Sequence, residues 1–230
     1  MANELINKTP ITNTPNKTPF SVVEAYKNIR VRIVTDLAKI NGKIIAISST
    51  NASEGKSTTA INTAITLSQL NKKVLLIDGD TRRSTIHHKL KINNELGFLD
   101  LILGNSSVEN TVKSYSPYLD VLTAGTAMSN PAEILSSSAF ERVLTEFRNS
   151  YDYVVIDTPP INMVSDASVI AQKCDGLVMV VRAGSTTYED FKHASTMVEE
   201  LNINFLGVIM NGVETKGRKK YYKYKYKYGY

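Results

Sequence analysis

The 230-residue chain has no tryptophan and a single cysteine, Cys174, so no disulfide can form within it. That scarcity fits a reducing, cytosolic setting. Long apolar runs are missing too. Stretches such as Leu177–Val181 fall far short of the ~20 residues needed to cross a bilayer. The first twenty residues lack the apolar centre of a signal peptide. There are three histidines, and His87 and His88 stand in a loop-like region without the converging partners that a zinc site requires. What is present is an ordinary globular composition, 42% hydrophobic and 21% charged, long enough to bury one sizeable core.

Charge is unevenly placed. Residues 216–230 hold Lys216, Arg218, Lys219, Lys220, Lys223, Lys225 and Lys227 and no acid. The first 215 residues carry 20 basic and 22 acidic side chains, so the net +5 hides a mildly acidic body at −2. Six of the 12 tyrosines, Tyr221, Tyr222, Tyr224, Tyr226, Tyr228 and Tyr230, fall in the basic tail. Self-repelling charge at a chain end predicts a flexible tail. Residues 1–20, rich in Thr, Asn and Pro, read as a mobile arm, which leaves 21–215 as the folded domain.

Within that domain the clearest feature is an apolar run, Ile44–Ile47, followed by Ser48–Thr58 and a helical segment to about Leu70. Strand, small-residue loop, Gly55-Lys56-Ser57-Thr58 and helix are the order of a phosphate-binding P-loop. There, backbone N–H groups and a helix N-terminus meet phosphate oxygens, lysine reaches the β/γ oxygens and the next hydroxyl ligates Mg²⁺. Thr50 occupies the place of the pattern's first glycine. A second buried run, Val74–Ile77, ends in Asp78-Gly79-Asp80-Thr81-Arg82-Arg83, and a third, Val154–Ile156, ends in Asp157. In open α/β sheets ligands sit at the carboxyl ends of strands, so these acids belong beside a nucleotide. Asn211, after the last predicted strand, suits either a base edge or a turn cap.

Further strands are predicted at 119–124, 176–182 and 205–210, and helices at 165–173 and 187–201. A helix is also predicted from Pro131 through Phe147. The alternation predicts an α/β fold, a mostly parallel sheet flanked by helices. Ser21-Val22-Val23-Glu24 has capping-box spacing, and Val22, Tyr26, Ile29, Ile33 and Leu37 form an apolar stripe behind it. Glu24, Lys27 and Arg30 lie off that stripe, suited to solvent or to a neighbouring subunit. The tail itself admits several readings: a stacking site for single-stranded nucleic acid, a patch for an anionic membrane, a solubilising extension, or a phosphorylation substrate.

The Walker A-like Ala52–Thr58, the Asp78-x-Asp80-x-Arg82 motif, the Walker B-like Val154–Asp157 and the tyrosine cluster together resemble the bacterial tyrosine kinases of capsule and exopolysaccharide synthesis. The likeness runs from about Thr18 to Tyr230. It implies a P-loop NTPase-type fold and an ATP- and Mg²⁺-dependent protein-tyrosine kinase. Ser53, Glu54, Gly55, Lys56, Ser57, Thr58 and Asn211 would bind ATP, and Ser57, Asp80 and Asp157 the metal. Asp78 would take the phenol proton, with Asp80, Lys56 and Arg82 completing the catalytic set. The tail tyrosines would be phosphorylated by a neighbouring subunit in a homo-oligomeric ring, built through Glu24, Lys27 and Arg30. Lysine stands at 27 where that family has arginine, and Ser53 where many members have glycine. The resemblance also implies a partner, the cytoplasmic end of a transmembrane polysaccharide co-polymerase, which would keep the kinase at the inner membrane face and activate it. Other protein substrates fit such an enzyme; specific nucleic acid is not expected. A partition or division-site ATPase shares the Walker features but carries a lysine where this chain has Asn51. A third reading is a nucleotide switch whose tail binds membrane or nucleic acid.

Overall fold

The computed structural model describes residues 20–126, 128 and 130–213; the tail tyrosines and nearly all of the arm lie outside the described residues. The chain begins α1 (Phe20–Lys39), β1 (Ile44–Ser49), α2 (Lys56–Ser68) and β2 (Val74–Asp78). Three short helices follow, α3 (Ile86–Leu90), α4 (Phe98–Ile102) and α5 (Val108–Thr111), then β3 (Val112–Ser116) and β4 (Leu119–Leu122). Then come α6 (Pro131–Leu135), α7 (Ser138–Ser150), β5 (Tyr153–Asp157), α8 (Asp166–Gln172), β6 (Gly176–Arg182), α9 (Tyr188–Glu200) and β7 (Phe205–Asn211).

The seven strands form one sheet in the order β3-β4-β2-β5-β1-β6-β7. Every pairing is parallel except the β3–β4 hairpin at one edge. Helices cover both faces, so β1 and β2 are buried along their whole length and read as continuous apolar runs. Period-two alternation divides the core. Ile45 and Ile47 pack with Ile33 and Leu37 of α1 and with Ala60, Ile61, Ala64 and Ile65 of α2. Ile44 joins Phe98, Phe140 and Phe147 in one cluster, and Ala46 joins Ala167, Ala171, Ala194 and Val198 in another. The mostly parallel, helix-flanked sheet agrees with the alternation in the sequence.

Three local expectations change. The helix expected from Pro131 is two helices broken at Ser136 and Ser137, whose hydroxyls donate back to Ala132 O (2.8 Å) and Ile134 O (2.7 Å). Such local bonds compete with helix propagation. The strand β3, at a position where no strand is predicted, is a half-exposed edge strand without an apolar run. α1 begins at Phe20, so Ser21 lies in its first turn instead of at the cap.

The site follows from strand order. β2, β5 and β1 are adjacent and parallel, so the segments leaving their carboxyl ends converge at one edge of the sheet.

Candidate nucleotide and phosphoryl-transfer site

The loop from β1 to α2 needs two left-handed residues, Ser53 (φ 65°) and Gly55 (φ 101°). Gly55 is also pressed against β7: a Cβ there would lie 2.1 Å from Asn211 Nδ2. The positive φ favours glycine there, and a side chain would also displace the Asn211 amide. α2 starts at Lys56 with no side-chain cap and no acid in its first turn, which leaves its N-terminal N–H groups for an anion. Thr50 is buried and donates its hydroxyl to the Glu54 carboxylate (2.7 and 2.8 Å). The Asn51 N–H donates to the same carboxylate (3.0 Å). Asn211 donates its amide to Glu54 O (3.0 Å) and accepts from Gly212 N (2.8 Å). One end of that side chain thus holds the loop and the other accepts from its own neighbour in the chain.

Lys56 Nζ donates to Asp80 Oδ2 (2.7 Å) and lies 3.6 Å from Asp157 Oδ1 and 3.3 Å from Ser57 Oγ. Burial works to lower its pKa, but the Asp157 and Asp80 charges outweigh it and the ammonium is held above its ordinary value. Asp78 and Asp157 are register partners on β2 and β5. Gly79 N donates to Asp157 O (2.7 Å), and a Cβ at Gly79 would meet that oxygen at 2.7 Å, so glycine allows the close approach. Asp78 Oδ2 accepts the N–H groups of Thr85 and Ile86 (3.1 Å each), capping α3, while its Oδ1 has no hydrogen-bond partner. Asp157 is 0% exposed, and neither of its oxygens receives a well-formed hydrogen bond, though the Lys56 ammonium at 3.6 Å and the Ser57 hydroxyl lie beside it. Burial, reinforced by the Asp157 charge, pushes Asp78 up to about 8. Burial pushes Asp157 up to about 6 despite Lys56.

Buried carboxylate oxygens without donors, facing an ammonium, are a fit for a cation. Among the described residues no three His, Cys, Asp or Glu side chains form a cage. Mg²⁺ binds through one or two carboxylates and substrate phosphates. Ser57 and Asp157, with Asp80 beside them, are the residues able to hold it.

Arg82 forks onto Asp166, at the start of α8, through Nε–Oδ2 (2.6 Å) and Nη2–Oδ1 (3.2 Å). It therefore braces the 78–83 turn against α8. Asp80 Oδ1 accepts the Arg83 N–H (3.0 Å), which tightens the same turn. Asp166 is fully buried and was not singled out from the sequence; an acid opening a helix gives no sign of a partner 84 positions earlier. Ser53 is exposed at the loop's rim and Thr58 half-buried on α2. Glu24 and Lys27 pair with each other within α1 (2.7 Å), and Arg30 donates to Thr66 O (2.9 Å), one of the last carbonyls of α2.

A profile of the AAA domain matches residues 42–204. The tyrosine-protein kinase YwqD of Bacillus subtilis is 39% identical over 199 residues, spanning 86% of this chain and 84% of that protein. The kinase domain of the Escherichia coli tyrosine kinase ETK superposes with a TM-score of 0.82 at 26% identity, covering 93% of this chain and 91% of its own. A plasmid partition protein from Borrelia burgdorferi shares the fold more distantly, with a TM-score of 0.59 and 25% identity over 79% of this chain and 87% of its own.

Proposed function

As this chain belongs to the bacterial tyrosine-protein kinases, we propose that it transfers the γ-phosphoryl group of ATP to Tyr221, Tyr222, Tyr224, Tyr226, Tyr228 and Tyr230 of a neighbouring copy. We further propose that this exchange regulates capsular or exopolysaccharide synthesis. The observation that carries the reading is the pair Asp78 and Asp157, side by side on adjacent strands with unpartnered oxygens, facing Lys56.

Phosphoryl transfer needs positioning and charge neutralisation more than covalent catalysis. The loop amides and the α2 N-terminus would bind the phosphates. Lys56, now paired with Asp80, would swing to the β/γ oxygens, exchanging one anionic partner for another. Mg²⁺, held by Ser57 and Asp157 with Asp80 nearby, would neutralise charge on the transferred group. Asp78 has one oxygen fixed by α3 and one free; with a cation beside Asp157 offsetting the charge that helps keep Asp78 protonated in the empty site, the free oxygen would accept the phenol proton. Arg82 keeps that turn in place from α8. Glu24, Lys27 and Arg30 would contact the neighbouring copy in a ring. The cytoplasmic end of a transmembrane co-polymerase would activate the enzyme and hold it at the membrane; no helix among the described residues is long and apolar enough to cross one itself. The partition-ATPase reading is disfavoured by Asn51.

The test mixes two full-length chains with Mg-ATP: a Lys56→Met chain with an intact tail, and an active chain whose six tail tyrosines are Phe. Mass spectrometry should find phosphate on residues 221–230 of the Lys56→Met chain. Phosphate appearing only on a chain that carries its own Lys56 and tail would contradict transfer between copies. ATP hydrolysis without phosphotyrosine in any mixture would contradict the tail as substrate.

A further inference from the structure

We infer that Thr186, on the connection from β6 to α9, is a positioning residue for the nucleotide loop and acts through the Glu54 carboxylate. Glu54 is 1% exposed in the middle of a loop that must bind anions. Such a group is tolerable only with donors around it. It has the Thr50 hydroxyl, the Asn51 N–H and the Thr186 hydroxyl, the last from 132 residues away. The Thr186 oxygen also accepts the Arg182 N–H (2.8 Å), which directs its one proton to Glu54. The Glu54 carbonyl is separately held by Asn211 (3.0 Å) at the end of β7.

The consequence is mechanical. β1, β6 and β7 are neighbours in the sheet, and Glu54 fastens the loop after β1 to the segment after β6 and to the last residue of β7. The Asn51 N–H is turned inward to Glu54, so the carboxylate helps to decide which loop amides remain for phosphate. A glycine at position 50 would give the loop its shape through conformational freedom. Here a Thr50–Glu54–Thr186 brace supplies the shape by hydrogen bonding. Glu54 is then a shape-setting residue and not itself a phosphate ligand.

The inference rests on the phosphate-binding reading of this loop, and its test separates the two. Thr186→Val removes the hydroxyl at nearly constant volume. Calorimetric titration of the folded full chain with Mg-ATP, and separately with inorganic tripolyphosphate, should show both binding about tenfold more weakly, the effect of losing one hydrogen bond to a charged group. Amide exchange at Asn51 should accelerate, and Thr186→Ser should restore both readings. In a Glu54→Gln background the Thr186→Val effect should shrink, because the two residues act as a unit. Unchanged affinities in Thr186→Val, even with a lowered melting temperature, would overturn the inference. So would weakened ATP binding with tripolyphosphate unaffected, since the hydroxyl would then serve the nucleoside. A wild-type chain that binds neither probe would overturn the phosphate reading, and the brace with it.

Discussion

The two ends of the parallel sheet treat their acids in opposite ways, half-buried Asp175 at one and fully buried Asp78 and Asp157 at the other. At the amino ends of the strands, Asp175 accepts the N–H groups of Lys43 (2.7 Å) and Ile44 (2.8 Å) and a two-pronged contact from Arg148 (2.8 Å each). Burial alone would raise its pKa, but those donors outweigh it and hold the carboxyl below its ordinary value. At the carboxyl ends, Asp157 has only a loose ion pair with Lys56 at 3.6 Å and the Ser57 hydroxyl beside it, and Asp78 has donors on one oxygen only. Both pKa values are raised. A satisfied acid is a fastening. An unsatisfied buried acid is held in place by the surrounding fold and awaits a ligand. The contrast separates architecture from chemistry without reference to any relative.

The largest effect should be kinetic and confined to the carboxyl end. Asp78→Asn and Asp157→Asn should each lower phosphotransfer by at least about 10²-fold, the scale of losing a general base or a charge that organises the transition state. Initial rates of tail phosphorylation check this. Asp175→Ala should leave the rate per folded molecule unchanged but destabilise by about 3 kcal/mol, because Arg148 and two backbone amides lose their acceptor. Urea unfolding measures it.

The Arg82–Asp166 pair should be asymmetric. Arg82→Ala strands a fully buried acid and should cost about 3 kcal/mol, whereas Asp166→Asn frees an arginine whose side chain is already 40% exposed and should cost nearer 1 kcal/mol. Equal losses would mean that Asp166 has an alternative partner. The smallest effect is a slope. Between about pH 6 and 8 the folded, nucleotide-free protein keeps a proton on the Asp78–Asp157 pair that the unfolded carboxylates, titrating near 3.8, have lost. Raising the pH therefore favours unfolding across that window. Asp78→Asn should flatten unfolding free energy against pH there.

The sequence announced the sheet's centre because those strands are buried on both faces. Ile44–Ile47, Val74–Ile77 and Val154–Ile156 are unbroken apolar runs, and each ends in the residues that form the site. The edge strand β3 had no such run to show. Lys56, Asp78, Asp80 and Asp157 were legible because motif spacing ties each to a strand end, and adjacency of β2, β5 and β1 then brings them together. The supports were not. Asp166 meets Arg82 across 84 positions and Thr186 meets Glu54 across 132, distances closed only by strand order. Asn211, equally suited from sequence to a base or a turn, uses both ends of its amide within the protein. The pairing of Glu24 with Lys27, and of Arg30 with α2, likewise depended on rotamers and packing that spacing does not specify.

The sign of one stability change tests the central contrast most directly. Burial disfavours the Asp157 charge and raises its pKa despite Lys56, so at pH 8 a neutral residue of the same shape should relieve the fold. Unfolding free energy of nucleotide-free Asp157→Asn, measured beside Asp175→Asn, should rise for the first and fall for the second, while phosphotransfer collapses only in the first. A fall in stability at Asp157 matching that at Asp175, with phosphotransfer retained, would contradict the account.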